Sequence, residues 1–183
     1  MSTSGRRVGG NHAQGFTLLE LLVTLLIMAI VAAWGLPGFQ AMGKRHARLE
    51  AANRLQTALG FARQTAISQR QPVTLCPSSV ESAHKRRCDD NWSRDLMAVR
   101  GDQTENISPA DVLRTFPATP GVDVEYSRGW RRIRYDALGH SSGYNGRFTL
   151  CPQRGRQRVE GSTLVLSQLG RWRMAQVPTD CGH

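Results

Sequence analysis

Phe16 to Leu36 is a run of 21 residues in which Glu20 is the only charged side chain. A helix of about 20 apolar residues spans the hydrocarbon core of a bilayer, so the run reads as a membrane-crossing helix. A short polar leader, MSTSGRRVGGNHAQG, precedes it with Arg6 and Arg7 and no acid, and Lys44, Arg45 and Arg48 follow it. Basic residues on both flanks leave the orientation open under the positive-inside rule. The four cysteines, Cys76, Cys88, Cys151 and Cys181, all lie on the C-terminal side, with no CxxC pair and no histidines at zinc spacing. A metal site is therefore not expected. An even cysteine count beyond a membrane segment points to disulfides in an oxidising compartment, which puts the C-terminal part outside the cytoplasm. Three pairings are open. Joining the nearest pairs, Cys76 with Cys88 and Cys151 with Cys181, staples one local loop each and is the expectation adopted.

A conventional secretory signal would also have arginines followed by an apolar stretch, and Val31-Ala32-Ala33 passes as a weak cleavage site. Glu20 argues against it. An acidic residue inside an apolar segment costs roughly a few kcal/mol on insertion scales and persists where it has a use. Its position one turn into the helix offsets part of that cost through the helix dipole. Pro37, between Gly35 and Gly38, predicts a kink or local unwinding.

Beyond the apolar run, Leu49, Ala52, Leu55, Leu59, Ala62 and Ala66 recur at spacings of three and four, one face of an amphipathic helix continuing to about residue 70. Arg48, Arg54, Arg63 and Arg70 occupy the other face, which reads as solvated. Gln71-Pro72 ends the helix. The period then changes to short β-rich runs at 73–75, 96–100, 112–116, 122–126, 133–135, 147–151, 163–167 and 171–175. Asn145-Gly146 signals a hairpin, and Gly139 and Gly170 stand where positive φ is expected. Residues 78–91 read as an exposed loop. A helix followed by strands favours an α+β fold, a long N-terminal helix packed on an antiparallel β-domain in two sheets or a sandwich.

Charge is the other constraint. The chain carries 24 basic and 14 acidic residues, a net +10, and only Lys44 and Lys85 of the basic set are lysines. Arginine forks match phosphate and carboxylate, so the bias is compatible with a polyanionic partner, and equally with a solvated surface under coding bias. Residues 128–173 hold ten arginines against Asp136 and Glu160. Gly155-Arg156-Gln157-Arg158 and Gly170-Arg171-Trp172-Arg173 both have the form GRxR, and strand alternation would point each arginine pair to one face, with Trp172 toward the core. The five histidines sit in unrelated contexts, with no nucleophile-and-base arrangement and no phosphate-loop or dinucleotide fingerprint. No catalytic residue, cofactor or enzyme activity is expected.

Gly15-Phe16-Thr17-Leu18-Leu19-Glu20, after a short basic leader and before an unbroken apolar helix, resembles the type III signal of prepilins and pseudopilins. The resemblance implies that a prepilin peptidase cuts between Gly15 and Phe16 and methylates Phe16. Glu20 would then neutralise the N-terminal amine of a neighbouring pilin in a filament. The implied organisation is a leader at 1–15, a transmembrane and filament-core helix at 16–37, its amphipathic continuation at 38–70 and a periplasmic β-domain at 71–183, anchored by a single pass in the bacterial inner membrane. VTLCPS with a second cysteine and Trp92 nearby, DVLRTF, IRYDALG, GRFTLC and LVLSQLGRWR resemble the FimT/GspH group of minor pilins and pseudopilins. In the FimT branch a C-terminal GRxR contacts DNA, which carries Arg171 and Arg173 over as DNA-binding residues. Arg154, Arg156 and Arg158 join them on charge density alone. The expected function is that of a minor pilin of a type IV pilus, binding double-stranded DNA non-specifically during natural transformation. The alternative is a GspH-like pseudopilin with a structural role in type II secretion.

Overall fold

The computed structural model describes residues 17–82, 85–153, 160–176 and 179–181, without the side chains of 34–41 and 81. The leader, Gly15 and Phe16 thus lie outside the described residues. The chain divides into two compact units, residues 1–41 and 42–183. Helix α1, Leu18–Gln69, begins in the first and ends in the second.

In the first unit Thr17 caps the helix: its Oγ1 accepts the Glu20 backbone N–H at 3.2 Å. Thr17-Leu18-Leu19-Glu20 is a T-x-x-E capping sequence, which gives the acid a place in the first turn irrespective of any partner. The helix runs past Gly35, Pro37 and Gly38 without a break, so the unwinding considered there is not found. Proline's fixed φ is itself helical, so the residue is accommodated within the helix with the loss of one backbone donor. Its large apolar side chains stand exposed, Leu18 by 78% and Met28 by 72%. Among the described residues no helix is long and apolar enough to cross a membrane.

In the second unit α1 buries Ala51, Ala52, Leu55, Ala58, Leu59, Ala62 and Ala66. Small alanines let the helix lie close on the sheets. Leu49, expected on this face, is 49% exposed, and Ala51 takes the buried position instead. The basic face is not merely solvated. Arg48 donates to the Glu160 carbonyl, Arg54 to that of Arg94, and Arg63 Nε to Gly139 at 3.1 Å. Their heads end on backbone carbonyls, that of Glu160 at the start of a strand and those of Arg94 and Gly139 in turns, while Arg70 stays exposed. Arg70 adopts φ 49°, and Gln71 N–H reaches back to the Ala66 carbonyl at 3.3 Å, a left-handed C-terminal closure followed by Pro72.

Among the described residues ten strands follow: β1 Val73–Ser82, β2 Lys85–Cys88, β3 Leu96–Arg100, β4 Val112–Phe116, β5 Val122–Tyr126, β6 Ile133–Tyr135, β7 Gly146–Pro152, β8 Glu160–Leu166, β9 Trp172–Met174 and β10 Thr179–Asp180. One sheet has the order β2-β1-β3-β4 with β6 on β1, the other β10-β8-β7-β5 with β9 on β8. All pairings are antiparallel. The fold is α+β, a helix on antiparallel sheets. Two expectations need correction. Residues 78–91 are not simply a loop, because β1 continues to Ser82 and returns as β2, with Ser78 opposite Cys88. Asn145-Gly146 does not turn a hairpin. Gly146 opens β7 opposite Leu166, whereas β6 pairs with β1 in the other sheet, so the segment between them changes sheets. The positive φ falls on Gly143, at 84°.

The main core joins the buried helix face to both inner sheet faces. Trp92, Tyr126 and Phe148 pack there with ring centroids 4.4–5.5 Å apart. A smaller cluster, Cys76, Cys88, Met97, Val99 and Ile107, covers the other face of the first sheet. Disulfides join Cys76 to Cys88 and Cys151 to Cys181.

Candidate functional site

Two features of the described residues are not explained by folding alone. The first is the N-terminal end of α1, where Glu20 lies exposed among exposed leucines. A contiguous apolar surface of this kind marks a contact with a membrane or another protein.

The second lies at the edge of the second sheet. Val165 of β8 pairs with Arg173 of β9 on one side and with Arg147 of β7 on the other. Arg147, Val165 and Arg173 therefore form one row across three neighbouring strands, with the two arginines about 10 Å apart at two strand spacings. Trp172 and Met174 pack against the main core, while Arg171 and Arg173 are exposed. This is the alternation expected of the motif. Trp172 lies over α1, where its Cη2 sits 3.2 Å from the place a Cβ on Gly60 would take. Its ring is committed to packing.

The turn before β9 fixes the first arginine. Ser167 Oγ donates to the Arg171 carbonyl at 3.0 Å and accepts its N–H at 3.2 Å. Gly170 has φ 73°, and a Cβ there would lie 2.1 Å from the Gly139 carbonyl oxygen. The turn rests directly on the Gly139 turn, strengthened by Ser141 Oγ donating to the Ser167 carbonyl at 2.9 Å. The glycine of Gly170-Arg171-Trp172-Arg173 is thus a packing requirement, and the arginines project from a rigid edge.

Ion pairs among the described residues join Arg94 to Asp89, Arg132 and Arg134 to Asp102, and His140 to Asp136. Arg147, Arg171 and Arg173 take part in none of them. Arg154, Arg156 and Arg158 lie outside the described residues. Charge density in the sequence did not separate Arg147 from the other arginines, because only strand register puts it beside Arg173. The T-x-x-E signature that starts at Thr17 is the sequence signal for the cap seen at Glu20 N–H.

The family of the type II transport protein GspH matches residues 51–170, and the prokaryotic N-terminal methylation motif matches residues 10–36. No curated protein sequence matches. The type IV minor pilin FimU of Pseudomonas aeruginosa PAO1, in a P21 crystal form, superposes with a TM-score of 0.59 at 21% identity, over 77% of this chain and 99% of that one. A P65 crystal form of the same protein gives 0.56 at 21% identity, over 73% and 99%. This similarity establishes a shared fold.

Proposed function

Because the chain belongs to the GspH family and carries the N-terminal methylation motif, it is of the type IV minor pilin and pseudopilin class, and we propose that it serves as a minor pilin of a type IV pilus that binds DNA. Proteins of this class are in general structural rather than catalytic. In this proposal prepilin peptidase cleaves between Gly15 and Phe16 and methylates Phe16, and the apolar helix holds the chain in the inner membrane by a single pass until assembly. Glu20 then faces the amine of a neighbouring pilin, since two unpaired charges in an apolar bundle would be costly. The C-terminal domain stands in the periplasm, where both disulfides are stable.

The observation that carries DNA binding is the exposed row of Arg147 and Arg173 with Arg171 beside it, free of ion pairs to described acids. Guanidinium groups on a rigid edge contact phosphates of double-stranded DNA without reading bases, so binding is sequence-independent and falls steeply with salt. Arg154, Arg156 and Arg158 add charge to the same half of the chain. Fluorescence anisotropy of labelled duplex with the full chain in non-ionic detergent tests this. Binding at low salt that Arg171→Ala/Arg173→Ala weakens supports the proposal, and equal binding by both proteins removes the motif from it. A second reading, a pseudopilin of a type II secretion system, is favoured by the family's own description as a type II transport protein. Lack of any DNA binding at low salt would leave that reading in place.

A further inference from the structure

A groove of about 380 Å³ opens between the β2 hairpin and residues 128–132. Arg87, Arg128, Arg131 and Arg132 line it against one carboxylate, Glu105, with Trp130 beside them. Both walls are held from behind. On one, the Cys76–Cys88 disulfide fixes β2, and Cys88 N–H donates to the Thr104 carbonyl at 2.7 Å. On the other, buried Trp92 donates its indole N–H to the Trp130 carbonyl at 3.0 Å, anchoring that loop to the aromatic core. Trp130 is fixed by its backbone, yet its side chain is 46% exposed and rests on Tyr144 at a ring distance of 5.3 Å.

The arginines divide into two kinds. Arg132 is committed to the scaffold, with Nε donating to the Tyr144 hydroxyl at 3.1 Å and a terminal nitrogen 2.7 Å from Asp102. Arg87, Arg128 and Arg131 are exposed and take part in none of the ion pairs among described residues. Arg128 uses only Nε, on the Asn145 carbonyl at 2.9 Å. A fixed, half-exposed indole beside available guanidinium groups is the chemistry that holds an unstacked nucleobase with its phosphates, since every base has a π-face and every link a phosphate. The volume is at the small end for ligand sites and suits one base with its sugar.

The groove also adjoins the row already described. Ser127 N–H donates to the Arg147 carbonyl at 2.9 Å, and Ser127 Oγ accepts the Arg147 N–H at 3.0 Å. Arg128 is the next residue. We propose that the groove takes an unstacked base of single-stranded DNA, Trp130 stacking on it and Arg128 and Arg131 holding its phosphates, so that a duplex on the Arg147–Arg173 row leads its frayed or unpaired strand into it. This inference deepens the DNA-binding proposal and rests on it for the choice of nucleic acid.

The test is a set of titrations of the full chain in non-ionic detergent with a decathymidylate strand, a blunt duplex and polyglutamate. Trp130→Ala is expected to weaken decathymidylate binding by about tenfold or more, from the loss of one stacked base, and to leave blunt-duplex binding within about twofold. Trp130→Phe should restore most of the loss, whereas Arg171→Ala/Arg173→Ala should weaken the duplex more than the single strand. Decathymidylate binding that ignores Trp130, or that is absent at low salt, overturns the groove proposal while leaving duplex binding to be judged on its own titration. Single-strand binding that needs Trp130, with no duplex binding by the unsubstituted chain, upholds the groove and discards the duplex reading. Polyglutamate bound as tightly as decathymidylate, with the same dependence on Trp130, overturns it in favour of an acidic protein partner.

Discussion

Replacing Gly170 by alanine separates the two demands that the turn before β9 makes on its glycine. The first is conformational: φ is 73°, and an L-residue in that region costs roughly 1–2 kcal/mol. The second is spatial, because the added Cβ would lie 2.1 Å from the Gly139 carbonyl oxygen and 2.9 Å from Tyr135 Cε1. The oxygen belongs to backbone that Arg63 also holds, so it cannot swing aside as a side-chain end would. Gly143 supplies the control, with φ 84° and no atom within 4 Å of the same Cβ. Gly143→Ala should lose about 1 kcal/mol, its strain partly offset by reduced freedom in the unfolded chain. Gly170→Ala should lose about 3–4 kcal/mol, within the range of backbone strain combined with overpacking. For a domain of this size about 1 kcal/mol shifts the midpoint by roughly 4 °C, so the two variants should melt about 8 °C or more apart. Urea and thermal unfolding of residues 42–183, which contain both disulfides and every buried core residue among those described, give both numbers. Equal losses within about 0.5 kcal/mol would refute the close approach of the two turns and, with it, the rigid placement of Arg171.

Leu59→Ala should cost about 3 kcal/mol in the same assay, because Leu59 is fully buried between helix and sheets. Replacing Cys151 and Cys181 by serine releases a loop closed over 30 residues, and the denaturation midpoint should fall by the equivalent of about 3–4 kcal/mol. Burial raises Tyr126 to about 12 and pushes Tyr135 up as well. A raised folded-state value gives stability that is intact below the unfolded value near 10 and is lost as pH climbs toward the folded one, so urea midpoints should hold to about pH 10 and then drop. Tyr126→Phe should flatten that drop. Arg147→Ala should lower duplex affinity and reduce the slope of log K against log salt by about 0.9, the loss of one phosphate contact.

How much of this was legible in the sequence depended on whether the signal was local. The helix from the apolar run to residue 69 and eight of the strands follow from periodicity, because their side chains repeat at 3.6 or 2 residues. The missed pieces lacked such a repeat. β1 extends through Pro77, which by itself argues against a strand, and the basic run Lys85–Cys88 looks solvated until it pairs with Ser78–Ser82 across the hairpin. Asn145-Gly146 has hairpin chemistry, yet β6 finds its partner in β1, so the tertiary pairing overrides the local turn preference. The helical arginines read as a polar face because periodicity reports direction and not reach, and their heads end on strand and turn carbonyls that only the folded domain brings within reach.

The candidate site divides in the same way. Alternation alone put Arg171 and Arg173 on one face and Trp172 on the other, and the burial pattern agrees. Arg147 became part of the surface only through register, since it is separated from Arg173 by a strand and 26 positions in the chain. Gly170 illustrates why a motif and its physical cause need not be the same thing. Its positive φ was legible, but the contact with Gly139 was not, and that contact makes the glycine necessary whether or not anything binds. A four-residue motif therefore mixes two kinds of constraint: Gly170 and Trp172 hold the edge to the core, and Arg171 and Arg173 are left to meet a partner. Mutations of the first pair should show in unfolding and those of the second in salt-dependent binding.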